Sequence, residues 1–452
     1  MLHLYDTATR EVRELALREP GSVSIYLCGP TVYGPPHLGH GRATLVYDVL
    51  RRYLEWSGLQ VRLVSNITDI DDSIINRANR EQRPWQEITT KCEAVWFQAM
   101  GAINVARPTD VPHATDYVPQ MVAMIGQLVA LGNAYHTDDG VYLSVETVDG
   151  YGLLVHQSLS DMLAGGGDRE VFGAGNKRHP ADFVLWKLSK PDEPSWPSPW
   201  GDGRPGWHSE CVVMSLDLLG EGFDLHCGGQ DLKFPHHENE RAQAVALGKR
   251  FANHWMHHGF VVDGEGEKMS KSIGNVDNLL DLVEHYDPRA YRMLLLQSHY
   301  RGPVTVGQDN IEASVKALAR FDGVARRFGS VTGAVADPAV LASFRAVMDD
   351  DLNTPAAMAI VFDAITQANV AADSGDLPSA HTLVAAVYSL AEAVGLTFSV
   401  AGEVPAEAIA VAAALDAARS AKDFALADTL RAELQAAGWT VETTKAGTVL
   451  RR

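Results

Sequence analysis

Residues 24–28, Ser-Ile-Tyr-Leu-Cys, form a short apolar run, and from residue 41 to 55 the apolar positions take up a helical period. A continuous apolar run fits a strand buried on both faces, and spacing at i, i+3 and i+4 fits a helix packed on it. Residues 61–66 repeat the strand pattern and end in the polar stretch Thr68-Asp69-Ile70-Asp71-Asp72. Strand, helix and strand with no hairpin signal between them predict a parallel α/β sheet over residues 20 to about 115. The alternation then breaks. Residues 116–205 carry a helical stretch near 118–131, two strand-like stretches near 134–145 and a Gly/Pro-rich passage. The sheet pattern resumes with a helix over 211–219 and a strand over 223–226. Gly228-Gly229 reads as a turn, and Pro235 marks the start of the next helix. From about Asn310 the pattern is helical and alanine-rich, with one break at 349–353. Residues 398–405 read as a linker, followed by helices over 406–419 and 423–437 and a short strand pair at the end.

Charge and composition narrow the classes. The chain has 452 residues, 46% of them hydrophobic, and a formal net charge of −19, which suit two to four domains of ordinary globular type. That charge excludes a general nucleic-acid binder working by phosphate neutralisation and leaves room only for a local basic track. No uninterrupted apolar run is long enough to span a membrane, and Met1-Leu2-His3-Leu4-Tyr5-Asp6 lacks a secretory pattern, so the expected location is the cytoplasm. Four cysteines do not make a disulfide framework in this length; they read as metal ligands, nucleophiles or core residues.

Candidate chemistry gathers at strand ends. His37-Leu38-Gly39-His40 follows the first strand and opens the first helix, where free N–H groups and the helix dipole attract phosphate. Lys268-Met269-Ser270-Lys271-Ser272 offers two ammonium groups that can follow charge developing on a triphosphate. Cys28 ends the first strand, Cys211 lies in Trp207-His208-Ser209-Glu210-Cys211, and His236 and Glu240 stand at i and i+4. Two thiolates, an imidazole and a carboxylate from three segments would make a tetrahedral zinc site, although no CxxC pair anchors it and spacing alone favours the plainer reading of small buried cysteines. Spacing alone does not choose between His236 and His237. A lone cysteine is as a rule a small buried hydrophobe, the reading given to Cys92 and Cys227.

Read in order, several motifs resemble the cysteinyl-tRNA synthetase family of class I enzymes over nearly the whole length. They are Cys28-Gly29-Pro30-Thr31-Val32-Tyr33, the tetrad at 37–40, Asn66-Ile67-Thr68-Asp69-Ile70-Asp71-Asp72, Asp182-Phe183-Val184-Leu185-Trp186-Lys187, and the stretches 206–211, 228–240 and 268–272. The resemblance implies a Rossmann-type catalytic domain in two halves, 1–115 and 206–250, around a connective insertion at 116–205. A stem-contact region at 251–310 carries the lysine loop. A helical bundle at 311–397 and a C-terminal anticodon-binding domain at 405–452 follow.

The resemblance also implies one zinc ion on Cys28, Cys211, His236 and Glu240, with catalysis by His37, His40, Lys268 and Lys271. ATP, as its magnesium complex, meets Gly39, Gly229 and Asp231 as well, and Thr31, Thr68 and Trp207 line the amino-acid pocket. The implied partners are L-cysteine, ATP and tRNA(Cys), and the implied state is a monomer with no membrane association. Zinc has a physical purpose there. An apolar pocket separates cysteine from serine by only ~1–3 kcal/mol, whereas zinc strongly prefers thiolate to hydroxyl.

Two positions depart from the family pattern. Leu38 replaces a commoner isoleucine, and Leu450 stands where many relatives carry tryptophan, leaving Trp439 as either a stacking surface or a core residue. The competing expectation is a thiol-biosynthesis ligase that joins cysteine to an amino sugar and needs no tRNA-reading tail. Arg419, Lys422, Arg431 and Lys445 in the terminal segment favour tRNA. A non-catalytic cysteine- or RNA-binding paralogue is disfavoured by the two intact motifs.

Overall fold

The computed structural model describes residues 1–164, 176–191, 193–262, 278–399, 406–444 and 447–451. The chain forms two units, residues 1–318 with 334–396, and residues 319–333 with 397–452.

The larger unit opens with a hairpin that the apolar pattern did not announce, β1 (His3–Asp6) and β2 (Glu11–Glu14), because its strands are short and largely polar. The expected strand–helix–strand follows as β3 (Ser22–Leu27), α1 (Leu38–Trp56) and β4 (Gln60–Ser65), then α2 (Asp72–Glu81) and α3 (Trp85–Ala102). Val23, Ile25 and Tyr26 are fully buried, as a strand covered on both faces requires. The insertion comprises α4 (Val118–Ala130), β5 (Ala134–Thr137), β6 (Gly140–Leu143), α5 (Leu159–Ala164), β7 (Phe183–Leu188) and β8 (Gly203–Pro205). Its strands make an antiparallel sheet in the order β5-β6-β7-β8.

Then come α6 (Trp207–Leu219), β9 (Leu225–Gly229), α7 (Glu238–Ala246) and β10 (His254–His258). The parallel sheet has the order β10-β9-β3-β4, so the two halves of the sheet meet between β9 and β3. Gly228-Gly229 is therefore the end of a strand, paired with His257 and His258 of β10, and not a turn. The glycine is needed for close approach: a Cβ on Gly228 would lie 2.7 Å from the His237 ring. Phe234 is extended (φ −142°, ψ 134°), and Pro235-His236-His237 then form a π turn that leads into α7 at Glu238, so Pro235 does mark where the chain turns helical.

A short parallel pair, β11 (Val261–Val262) and β12 (Val304–Thr305), flanks α8 (Leu279–His285) and α9 (Arg289–Leu296). After α10 (Gln308–Phe328), the helices α11 (Pro338–Met348), α12 (Thr354–Asp373) and α13 (Leu377–Ala393) form the bundle. Helix α12 is long and apolar enough to cross a membrane by length and composition. It buries Ala357, Met358, Val361, Ala364, Ile365 and Ala368 as a helix of this bundle. Phe344 of the bundle packs on Tyr53 and Trp56 at the end of α1, and Arg292 of α9 ties the middle of α1 to the end of α13. The buried Arg292 guanidinium pairs with Asp48 at 2.7 Å and donates to the carbonyls of Val394, Ile103 and Asn104.

In the smaller unit, α14 (Ala406–Ser420), α15 (Phe424–Ala436) and the antiparallel hairpin β13 (Thr440–Thr444) and β14 (Gly447–Arg451) enclose Leu415, Leu434, Trp439 and Leu450. Trp439 is 6% exposed and Leu450 9%, so both are core residues and neither offers a free stacking face.

Candidate active site

The first motif builds its own helix start. His37 takes the N-cap position; its Nδ1 accepts from the His40 N–H at 3.3 Å, and His40 Nδ1 accepts from the His37 N–H at 3.2 Å. The two rings stack with centroids 3.6 Å apart. This reciprocal cap explains why α1 starts at Leu38, ahead of the apolar period, and why Gly39 is small: a Cβ there would lie 3.0 Å from the His37 ring. Tyr291 Oη fixes the same turn by donating to the Leu38 carbonyl at 2.6 Å. Burial, together with the neighbouring His37, pushes the His40 imidazole down to about 3. At neutral pH His40 therefore works as a hydrogen-bonding group and not as a cation.

A cavity of about 690 Å³ opens over this helix start at the carboxyl ends of the strands, where open α/β sheets bind their ligands. Cys28, Thr31, His37, Gly39, His40, Trp207, Gly229 and Asp231 all line it. Thr68 does not. It is 1% exposed and donates to Glu210 Oε2 at 3.0 Å, so it braces the buried α6 carboxyl behind the cavity. Lys268 and Lys271 lie outside the described residues; the described chain stops at Val262, next to the cavity-lining Val261.

Cys28, Cys211, His236 and Glu240 converge beneath the cavity, with their donor atoms all within 4.8 Å of one another. Tetrahedral zinc, with bonds of about 2.3 Å to sulfur and about 2.0–2.2 Å to nitrogen and oxygen, sets the edges of such a group. They are about 3.8 Å between sulfurs, about 3.6 Å from sulfur to nitrogen or oxygen, and about 3.4 Å from nitrogen to oxygen. The corresponding separations are 3.8 Å for Cys28 Sγ to Cys211 Sγ, 3.6 Å for Cys211 Sγ to His236 Nε2, 3.5 Å for Cys28 Sγ to Glu240 Oε1 and 2.9 Å for His236 Nε2 to Glu240 Oε1. Three edges match, and the fourth is an ion pair. A second group, Cys28, His226, His237 and Glu240, fits less well: it has one sulfur, and its His226–Glu240 edge is a 2.6 Å hydrogen bond.

Protons and a metal compete at this point: burial, with the neighbouring Cys211 and Glu240, pushes the Cys28 thiol well above its ordinary value, and His236 is protonated at neutral pH, so metal binding must release both protons. Burial raises the Cys211 thiol, but the hydrogen bond from Cys28 and the adjacent His236 outweigh it and hold the group at about 6. Burial disfavours the His236 cation, yet the Glu240 carboxylate raises it to about 10. Two thiols, an imidazole and a carboxylate at one dry point are costly unless a cation gathers them.

Groups that the sequence did not single out hold these ligands. His208 Nδ1 meets His236 Nδ1 at 2.8 Å, and His226 Nε2 meets Glu240 Oε2 at 2.6 Å. His237 lies 3.3 Å from Cys28 Sγ and continues to His257 at 2.8 Å and from there to Thr7 Oγ1 at 2.7 Å. Such outer groups fix ligand orientation and tautomer. The one signal for them was the density of histidines between residues 208 and 258. Trp207 stacks on the His236 ring at 4.0 Å and separates it from the cavity. Cys92 sits in a small apolar cluster with Val32, Ile67, Ala78 and Ile88, and Cys227 is buried inside β9; neither joins the ligand groups.

The parallel sheet, the capped helix start and the cavity above them are those of a class I aminoacyl-tRNA synthetase. Residues 14–316 match the model of the tRNA synthetases class I (C) catalytic domain, and residues 343–399 match the DALR domain. The fold is shared with solved structures of low identity. Mycobacterium tuberculosis methionyl-tRNA synthetase bound by methionyl-adenylate has a TM-score of 0.60 at 15% identity, over 82% of this chain and 90% of that one. A leucyl-tRNA synthetase complex from Agrobacterium radiobacter K84 has 0.60 at 12%, over 84% and 85%. Sequence relatives extend over the full length. Cysteine–tRNA ligase of Kocuria rhizophila is 43% identical over 98% of this chain and 97% of its own, and that of Halorhodospira halophila 42% identical over 100% of each. The chain belongs to the cysteine–tRNA ligase family.

Proposed function

We propose that the chain activates L-cysteine with ATP and transfers it to the 3′ end of tRNA(Cys). The observation that carries this reading is the two-sulfur ligand group beneath the cavity, whose edges suit zinc, in a chain related to cysteine–tRNA ligases over its whole length. Zinc bound there supplies a soft Lewis acid that favours a thiolate over a hydroxyl.

The rest is work for the chain's own residues. The cysteine carboxylate oxygen attacks the α-phosphorus, and the bond to pyrophosphate breaks. His37 and His40 receive the phosphates at the helix start, where the His40 imidazole is neutral and the helix dipole favours an anion. Lys268 and Lys271 follow the charge that builds on the leaving group. Gly229 admits the adenosine closely and Asp231 accepts from its ribose. Trp207 and Thr31 bound the amino-acid end. No protein nucleophile is needed; positioning and charge carry the rate. Residues 405–452 read the anticodon arm, which separates this reading from ligation to an amino sugar. The free state of all four cysteines suits a reducing cytoplasm, and the reading takes the enzyme as a monomer using magnesium–ATP.

Cysteine-dependent ATP–pyrophosphate exchange tests the first step, and aminoacylation of tRNA(Cys) tests the second. Exchange without tRNA charging would overturn the assignment in favour of the amino-sugar ligase.

A further inference from the structure

Away from the catalytic cavity, a pocket of about 310 Å³ opens between the β1–β2 turn, residues 154–157 and the turn before α7. It shares no lining residue with the catalytic cavity, and its size suits a small molecule. Arg10 and Lys233 line it with Tyr5, Thr7, His156 and Gln157, and among the described residues no carboxylate does. In a chain of net charge −19, a cation pair without a carboxylate stands out. Neither cationic side chain has an ion-pair or hydrogen-bond partner among the described residues. The acidic groups next to Tyr5 and Thr7 are engaged elsewhere. Asp6 pairs with Arg13 at 2.8 Å, and Asp351, which accepts from the Tyr5 N–H, pairs with Arg301. Lys233 is half-buried; burial lowers its ammonium group, Arg10 lowers it further, and no carboxylate raises it.

The walls hold this arrangement in place. Arg10 and His156 both take left-handed backbone, at φ 61° and 55°, which residues other than glycine rarely adopt. His156 Nε2 ties its segment to the β1–β2 hairpin by donating to the Thr7 carbonyl at 2.7 Å. Preset, unpaired cations from two segments suit an anion with at least two charges. A guanidinium fork matches two oxygens of one phosphate, and an ammonium point charge serves a second. A long polyanion is disfavoured, because β2 carries the exposed Glu11 and Glu14 directly after Arg10.

We propose that this pocket binds a small ligand bearing a diphosphate group, with one phosphate on Arg10 and the other on Lys233. The site goes beyond the tRNA-charging reading and does not depend on it. The diphosphate can be free pyrophosphate or part of a nucleotide, since both present the same two charged groups to the same two side chains.

The test titrates pyrophosphate into the full chain by calorimetry and compares the wild type with Arg10→Gln/Lys233→Met, which keeps the length of both side chains and removes their charge. The wild type should bind one more equivalent than the variant, whose affinity at this site should fall at least about tenfold. That equivalent should weaken as salt rises, and Arg10→Lys/Lys233→Arg should retain it. ADP that competes for it marks a nucleotide as the source, and ADP that does not marks free pyrophosphate. Without any anion, Arg10→Gln/Lys233→Met should unfold at or above the wild-type midpoint, because it relieves a like-charge repulsion, and pyrophosphate should raise the wild type more than the variant. Equal stoichiometry in the two proteins would overturn the proposal. So would an anion-free variant that unfolds below the wild type, which would reveal a partner for the cations within the chain, or binding of single-stranded RNA through Arg10 and Lys233 where pyrophosphate does not bind.

Discussion

Exchanging Cys211 for serine alters one atom of the ligand group and leaves the rest of the chain intact. The side chain is 1% exposed, at the start of a helix packed on the sheet, so its Cβ has little room to move. A carbon–oxygen bond is about 0.4 Å shorter than carbon–sulfur, yet zinc needs oxygen about 0.2–0.3 Å nearer than sulfur. The serine oxygen therefore falls about 0.6 Å short of a bonding position, and it is a neutral hydroxyl where a thiolate is wanted. Changing an outer group that merely orients a ligand costs about 10–100-fold in metal affinity, so losing a ligand should cost at least about 100-fold.

Chelator competition on the purified full chain measures that loss, and zinc-edge X-ray absorption counts the sulfurs. The wild type should show two sulfurs at about 2.3 Å and two lighter atoms at about 2.0–2.2 Å. Cys211→Ser should lose both the metal and cysteine-dependent exchange, and Cys92→Ser should lose neither. A shell with a single sulfur would select Cys28, His226, His237 and Glu240 instead, and a Cys211→Ser protein that keeps stoichiometric zinc would refute the geometric argument.

Other measurements follow from other parts of the molecule. His258 is held at about 4 by burial and by the nearby Arg42, below the ordinary value of about 6.5. The unfolded chain therefore binds this proton first: the group costs nothing above pH 6.5, and stability falls as pH drops from there toward 4. The cost reaches about 2 kcal/mol at pH 5, and the difference between the wild type and His258→Gln in urea unfolding midpoints at pH 7 and pH 5 separates it from the other buried histidines. Arg292→Met removes a buried guanidinium but leaves Asp48 its second partner, Arg52, at 2.8 Å. The loss should sit at or below the low end of the range for a broken buried pair, about 2–3 kcal/mol, read as a lower unfolding midpoint. Trp439→Ala should cost the terminal unit about 3–5 kcal/mol and speed hydrogen exchange over residues 406–444, with pyrophosphate exchange unchanged. A chain ending at residue 400 should retain pyrophosphate exchange and bind tRNA more weakly; equal charging by a folded truncated chain would refute the anticodon assignment.

The parallel sheet was legible because burial on both faces leaves a continuous apolar run, and the helix between β3 and β4 was legible from its period. The failures have a common physical origin. Gly228-Gly229 resembles a turn in one dimension, but its smallness serves the His237 ring packed against β9. Thr68 has the polarity and the strand-end position of a pocket residue, yet its hydroxyl is spent on Glu210. His208 and His226 hold two metal-site candidates, but they do so through the packing of α6 on α7 and of α7 on the sheet, contacts with no spacing in the sequence. Thiols and an i, i+4 pair made Cys28, Cys211 and Glu240 candidates before any contact was known, but the choice of His236 over His237 came from the family resemblance and not from spacing.

Position 450 extends the same argument to the terminal unit. A leucine replacing a common tryptophan suggested a lost contact to RNA. In the folded unit Leu450 lies against the core that also buries Trp439, so the identity of residue 450 bears first on packing. Any aromatic reading of the anticodon must then come from a side chain that the unit leaves on its surface. Phe424, 66% exposed at the start of α15, meets that condition where Trp439 does not.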